Sequence, residues 1–337
     1  MVYKKPGNSR INAILQKDAD LNTPSDLTQS GFYMFPFGDE KTTPVYIRGD
    51  ETYTSPYKGP LPQSISSNTL ADPVSREIHL ELVNNAIKAL KKGALKKVVV
   101  SRRFSVAAPA SLVGTFFEMI RQFPQAFGYL WFHPVAGTWL GATPERLLRY
   151  QNGLAETMAL AGTRAVDPVQ EKPVWTDKEH QEQDLVTQFI LEQVHNKGLS
   201  PKAGPVHDVR AGMLWHLGTE IQVKTSKEAA LELLGGLHPT PAVCGIPRDK
   251  ALEFISLNEN YSREYYTGFL GEVGQEVEDG FEFYVNLRCI QVRNGRAYIY
   301  VGGGITLDSD PESEWEETRA KSTTMRSILT NSKDGLG

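Results

Sequence analysis

The period of the apolar positions changes several times along this chain, and each change marks an element. Over residues 73–92, Ile78, Leu80, Leu82, Ile87 and Leu90 fall near helical spacing. Gly93 closes that run, and Val98, Val99 and Val100 then read as a strand. A second helix is predicted at 111–122. Four strand-like runs follow at 126–132, 138–141, 146–150 and 154–160, joined by short links containing Gly and Asn, the pattern of an antiparallel sheet. A long helix spans 177–195, strands fall at 206–210 and 219–223, and helices at 227–234 and 249–257. Strands at 265–271, 282–292 and 297–301 lead into a C-terminal helix. Strand groups alternating with helix groups, twice over, predict an α/β chain of the α+β type, with two antiparallel sheets and helices outside. Residues 1–70 are rich in Pro, Ser, Asn and Thr, with strand-like runs only at 31–36 and 45–47 and a loop at 59–68. They read as a peripheral N-terminal part, and 71–330 as the core.

The C-terminal stretch 302–325 holds the first candidate chemistry. Asp308, Ser309, Asp310 and Pro311 make a turn signal, with Asp310 as N-cap and Pro311 in the first helical position. Beyond it Glu314, Glu317 and Lys321 share one helical face, which turns apolar at Met325 and Ile328. The 177–195 helix repeats the motif. Glu179 has capping-box spacing from Thr176, whereas Glu182 has Leu185, Val186 and Phe189 at i+3, i+4 and i+7 and so faces the core. Carboxylates on such faces want a cation. Four of them, with no His or Cys, would form a hard oxygen site suited to Mg²⁺, although Glu-x-x-Glu is also common on solvated helices.

Gly302, Gly303 and Gly304 lack G-x-G-x-x-G spacing. They suit either close approach of backbone N–H groups to an anion or a bulged strand end. His216, beside Trp215, reads equally as a core histidine, and Lys97 as one more solvated lysine of its basic run.

Composition narrows the class. Among 337 residues, Lys plus Arg is 36 and Asp plus Glu is 40, a formal charge of -4 with no broad attraction to nucleic acid or anionic membrane. Cys244 and Cys289 offer neither a disulfide framework nor zinc spacing. No stretch reaches the ~18 apolar residues of a membrane span, and the N-terminus has no signal-peptide core. A soluble protein of a reducing compartment, the cytoplasm, is expected.

Several segments together resemble the chorismate-utilising enzymes, the isochorismate, salicylate, anthranilate and aminodeoxychorismate synthases. They are LKKVVVSRR (95–103), GATPERLL (141–148), LAGTR (160–164), KEHQEQDLV (178–186), LHPTPAVCGIP (237–247), REYYTGFLG (263–271), NLRC (286–289), GGGI (302–305) and DPESEWEETRAKSTTM (310–325). They occur in family order over about three quarters of the chain. The resemblance implies a single large domain of two antiparallel sheets flanked by helices, and chorismate as substrate. It implies Mg²⁺ held directly by Glu182 and Glu317 and through water by Glu179 and Glu314. Tyr266, Arg288 and the backbone of Gly302 to Gly304 match positions that hold the enolpyruvyl carboxylate, where an Arg fork is apt. Thr163, His216 and Lys321 match other pocket positions.

A few positions separate the reactions. Lys97 matches the general base used when water is the nucleophile, a role that requires a neutral lysine. Anthranilate synthases usually have glutamine there. Glu145 matches the acid that protonates the departing C4 hydroxyl, with Thr143 where the family more often has serine. Ala161 stands where aminodeoxychorismate synthases carry a nucleophilic lysine. Ala242 occupies a position that is threonine in lyase-competent salicylate synthases and alanine in isochorismate synthases. The resemblance therefore implies isochorismate synthase, with salicylate synthase as the alternative and an aminating component further off. It implies no amidotransferase subunit and a monomer, and leaves to the partner enzymes whether isochorismate feeds menaquinone, a siderophore or salicylate.

Overall fold

A computed structural model describes residues 1–38, 41–59, 73–166, 172–211, 214–275 and 279–331. The boundary expected at 70/71 and most of the 59–68 loop lie outside the described residues. In chain order the first elements are β1 (Val2–Lys4), β2 (Arg10–Leu15), β3 (Gly31–Phe35), β4 (Val45–Arg48), β5 (Glu51–Pro56), α1 (Pro73–Lys91), β6 (Lys97–Ala107) and α2 (Leu112–Gln122). Next come β7 (Phe127–His133), β8 (Gly137–Thr143), β9 (Arg146–Gln151), β10 (Leu154–Ala165), α3 (Asp177–Asn196), β11 (Pro201–Ala203), β12 (His207–Ala211) and β13 (Leu214–Lys224). The chain continues through α4 (Lys227–Leu237), β14 (Gly245–Ile246), α5 (Arg248–Asn258), β15 (Phe269–Val273), β16 (Phe281–Val285), β17 (Cys289–Arg293), β18 (Arg296–Ile305) and α6 (Pro311–Asn331).

Among the described residues the strands form two nine-stranded sheets. One runs β14-β6-β18-β17-β8-β7-β1-β2-β5, the other β11-β13-β10-β9-β16-β15-β3-β4 with β12 also on β13. Every strand pairing among the described residues is antiparallel, as the short links predict. An aromatic core that includes Phe32, Phe127, Trp131, Trp139 and Tyr284 joins strands of both sheets. A second core packs α3 and α4 on the β9–β10–β16 region, and a third packs α2 and α6 on β8, β17 and β18. No helix among the described residues is long and apolar enough to cross a membrane.

Most of the predicted elements are present, and the departures are informative. The 282–292 run is two strands, in different sheets, broken at Asn286–Leu287–Arg288. Its apolar pattern is continuous, so only tertiary pairing could break it. The 265–271 strand begins at Phe269, after a turn in which Thr267 adopts a φ of 59°. On α1 the buried face runs through His79, Leu82, Val83, Ala86 and Leu90, while Ile78 is exposed. The N-terminal residues supply five strands where the apolar pattern marks two; β2 and β5, which it misses, are largely solvent-facing, and an antiparallel strand with one wet face carries little apolar signal. The glycines 302–304 are no bulge. They pair with Ser101, Val100 and Val99 in a register that continues unshifted from Arg296 to Ile305.

Candidate active site

A cavity of about 650 Å³ opens among β6, β18, β10 and β13, under α3 and α6. Lys97, Glu145, Glu179, Glu182, His216 and Ala242 line it, as do Tyr266, Arg288, Gly302, Gly304, Glu314, Glu317 and Lys321. Thr163 lies at a register shift in β10, and its side chain is outside the described residues.

The glycines of β18 make the meeting of these groups possible. A Cβ on Gly304 would stand 2.8 Å from Lys97 Cε and 3.1 Å from Glu182 Oε1. The bare backbone lets the Lys97 side chain, only 1% exposed, cross the strand and donate from Nζ to Glu182 Oε1 at 2.7 Å. Lys97 is therefore no member of a solvated run. A Cβ on Gly303 would meet Glu314 Oε2 at 3.0 Å and Glu317 Oε1 at 3.9 Å. On Gly302 it would meet the Tyr266 hydroxyl at 3.2 Å. Gly303 and Gly304 thus serve as floor space for side chains from both helices, and Gly302 lies under the Tyr266 hydroxyl.

The helices bring their carboxylates in as their caps dictate. On α3 the Thr176 N–H donates to Glu179 Oε2 at 2.8 Å, the capping role that its spacing suggests, and Arg164 donates to Glu179 Oε1 at 2.9 Å. Burial works to raise the Glu179 carboxyl, but these hydrogen bonds outweigh it and hold it below its ordinary value. Burial also works against Glu182, and the Lys97 ammonium reverses it, again leaving the group lowered. On α6 Asp310 accepts from the Ser313 N–H at 2.9 Å, as an N-cap does. Lys321 Nζ donates to Glu317 Oε1 at 2.6 Å and to the Gly302 carbonyl at 3.0 Å. Glu314 is buried beside Glu317, and burial together with that like charge raises its carboxyl above 4.5. Ser309 donates to it at 2.7 Å, and Lys178 stands 4.0 Å away.

Two crossings between the sheets deliver the remaining groups. The chain leaves β8 for β9 at Pro144 and Glu145, and β16 for β17 at 286–288. The crossings are tied together: the Val285 N–H donates to the Glu145 carbonyl at 3.0 Å, and the Ala142 N–H to the Arg288 carbonyl at 3.2 Å. Arg288 has a φ of 48°, an unfavourable left-handed conformation for a residue with a side chain, held here by the surrounding pairing. Its guanidinium lies 5.4 Å from the centre of the Phe123 ring, and burial lowers it to about 10. Burial pushes the Glu145 carboxyl up to about 7, against the pull of Lys97. Tyr266 stacks on Tyr300 with ring centres 5.0 Å apart, and burial raises its hydroxyl. His216 donates from Nδ1 to the Gly162 carbonyl at 2.9 Å. Burial, then Arg288, lowers it to about 4, so it is neutral with its Nδ1 protonated.

The donor set fits a divalent cation. Glu182, Glu314 and Glu317 lean over two adjacent glycines, and Glu314 is a buried carboxylate raised by a second one. Hard oxygen donors of this kind suit Mg²⁺. Among the described residues no three metal-capable side chains form one cluster, and Glu182 and Glu317 are each engaged by a lysine. Arg164 on β10 and Lys178 in the first turn of α3 were not among the residues that the sequence singled out. Each directly adjoins a singled-out residue, Thr163 and Glu179, but a basic residue there carries no spacing signal.

A family model described as chorismate binding enzyme matches residues 49–330. Isochorismate synthase MenF of Escherichia coli is 31% identical over 258 residues, covering 74% of this chain and 59% of the relative. Isochorismate synthase EntC of the same organism is 32% identical over 264 residues, covering 74% and 66%. The chain therefore spans between 59% and 66% of the length of these curated relatives. Among solved structures, DhbC of Bacillus anthracis superposes with a TM-score of 0.82 at 23% identity, covering 98% of this chain and 96% of that one. At that identity the likeness concerns the fold.

Proposed function

The chain belongs to the chorismate-binding enzymes, and from that membership we propose that it is an isochorismate synthase, interconverting chorismate and isochorismate with Mg²⁺. The observation that carries the reading is the pairing of Lys97 with Glu145 on one cavity. One is a buried amine and the other a carboxyl raised to about 7, the value that suits a general acid near neutral pH. Relatives named isochorismate synthases support it.

In this reading Arg288, Tyr266 and the 302–304 backbone hold the enolpyruvyl carboxylate. Glu182 and Glu317 would hold Mg²⁺ directly, and Glu179 and Glu314 through water; when bound, the ion supplies positive charge for the ring carboxylate. Fixing both carboxylates makes the reaction a positioned one. Lys97, once its ammonium has given up a proton, exchanges its hydrogen bond to Glu182 for one to a water, and the neutral amine takes that water's proton as the oxygen bonds to C2. The diene shifts, the C4–O bond breaks, and Glu145 protonates the departing hydroxyl, so one water enters and one leaves. In the return direction the two residues exchange roles.

Ala161, on the cavity wall, offers no amine for a covalent aminodeoxychorismate route. Ala242, also on the wall, favours release of isochorismate over pyruvate elimination. The reading needs no amidotransferase partner and takes the protein as a cytoplasmic monomer. Incubation with chorismate and Mg²⁺, followed by chromatography, tests it. Isochorismate without pyruvate is expected, and salicylate with pyruvate would overturn the assignment in favour of salicylate synthase.

A further inference from the structure

Between α5 and β15 lies a buried ion pair outside the cavity. Arg263 donates from Nε to Glu259 Oε2 at 2.8 Å and from Nη2 to Glu259 Oε1 at 2.5 Å. Nη2 also reaches the Val99 carbonyl at 2.8 Å, and Nη1 reaches the Val243 carbonyl at 3.0 Å and Thr267 Oγ1 at 3.2 Å. The guanidinium lies 4.4 Å from the centre of the Phe37 ring. Glu259 Oε1 in turn accepts from the Ser101 N–H at 2.8 Å and the Ser101 hydroxyl at 2.9 Å.

Two features make this more than a satisfied buried pair. First, it finishes the edge of β6. The short β14 pairs only with Lys97 and Val98. The Val99 carbonyl and the Ser101 N–H, farther along that edge, are met by Arg263 and Glu259. Side chains do the work of a strand beside the residue that carries the amine. Second, the three groups that the guanidinium ties together belong to three separate walls of the cavity. Val99 lies two residues from Lys97, Val243 follows Ala242, and Thr267 follows Tyr266. Thr267 is held in the left-handed region, and its N–H donates to the Asn286 carbonyl at 2.9 Å, which extends the tie to the crossing that carries Arg288.

We propose that Arg263, backed by Glu259, is a positioning residue: it sets the separation between the strand bearing Lys97 and the walls bearing Ala242 and Tyr266. This rests on the reading of Lys97 as the base. A lysine at 263 keeps the charge but has one nitrogen where the fork has three, so it cannot reach Glu259, Val99, Val243 and Thr267 together.

The test is steady-state kinetics of Arg263→Lys, below its melting temperature, beside wild type. Misplacement of the base should lower kcat by about tenfold or more while KM changes by less than about threefold. A loss of stability alone would leave the folded enzyme with wild-type kcat, and that result would overturn the proposal. Glu259→Gln, which retains an acceptor for Ser101, should show the same split with a smaller loss. It decides the matter if Arg263→Lys does not fold. If neither variant folds, the pair is needed for folding itself and the proposal fails. The product formed by wild type identifies the reaction separately, and the variant-to-wild-type ratio is read on whatever that product is.

Discussion

Helices α3 and α6 carry the same Glu-x-x-Glu spacing toward the same cavity, yet Glu314 of α6 is shifted in the opposite direction to both acids of α3. On α3 each acid has its own cation, Arg164 for Glu179 and Lys97 for Glu182, and both are held below their ordinary values. On α6 Lys321 bonds Glu317 at 2.6 Å, while Glu314, with Lys178 no nearer than 4.0 Å, is left raised beside it. The Lys97 that satisfies α3 comes from a strand, through the gap left by Gly304, whereas the Lys321 of α6 is four residues along its own helix. Spacing puts carboxylates on a face; the neighbours that fold brings decide whether they are satisfied or waiting for a charge.

The largest expected effect lies on the α3 side. Lys97→Ala should cost about a hundredfold to ten-thousandfold in turnover, measured as isochorismate formation, with the circular dichroism spectrum unchanged. Wild-type turnover in that variant would leave Lys97 a purely structural partner of Glu182. Next, Glu182→Gln strands the buried Lys97 without its ion partner and should lower unfolding free energy by about 3 kcal/mol in urea titrations. The Glu182 contribution is present above about pH 4.5 and is lost as pH falls through its lowered value, so the variant should also have a flatter acid limb.

Glu145 provides the opposite slope. Because its folded value is raised to about 7, its contribution is complete below pH 4.5 and is lost as pH rises to about 7. Glu145→Gln should remove that decline, on the order of 2–3 kcal/mol, in melts across this window, while abolishing proton delivery to the leaving hydroxyl. A wild-type profile that is flat from pH 4.5 to 7 would argue against a raised Glu145.

Gly304→Ala tests the gap itself. The new methyl meets the flexible end of Lys97, so stability should fall by only about 1 kcal/mol while turnover falls by about tenfold as Lys97 is displaced. The smallest effect belongs to α6. Glu314→Gln relieves a like-charge contact and should leave stability unchanged or raise it by up to about 1 kcal/mol. Mg²⁺ should raise the melting temperature of wild type more than that of this variant. A variant destabilised as much as Glu182→Gln would erase the contrast between the helices.

What the sequence determined by itself is what depends on short range. The spans of α2, α3 and α6, the caps at Thr176 and Asp310, and the inward faces of Glu182 and Glu314 all follow from spacing and local hydrogen bonding. The family motifs then contain most of the residues that line the cavity, though not His216, Tyr300 or Phe123. Tertiary structure alone decided the rest. The 282–292 run has no glycine or proline to announce its break, and only pairing with two different sheets splits it and aims Arg288 inward. Lys97 reads as one more solvated lysine until β18 lies beside it with no side chain at Gly304. The opposite shifts of Glu314 and the two α3 acids arise from burial and from cations that the fold brings up, because electrostatic environment is a property of where chains meet.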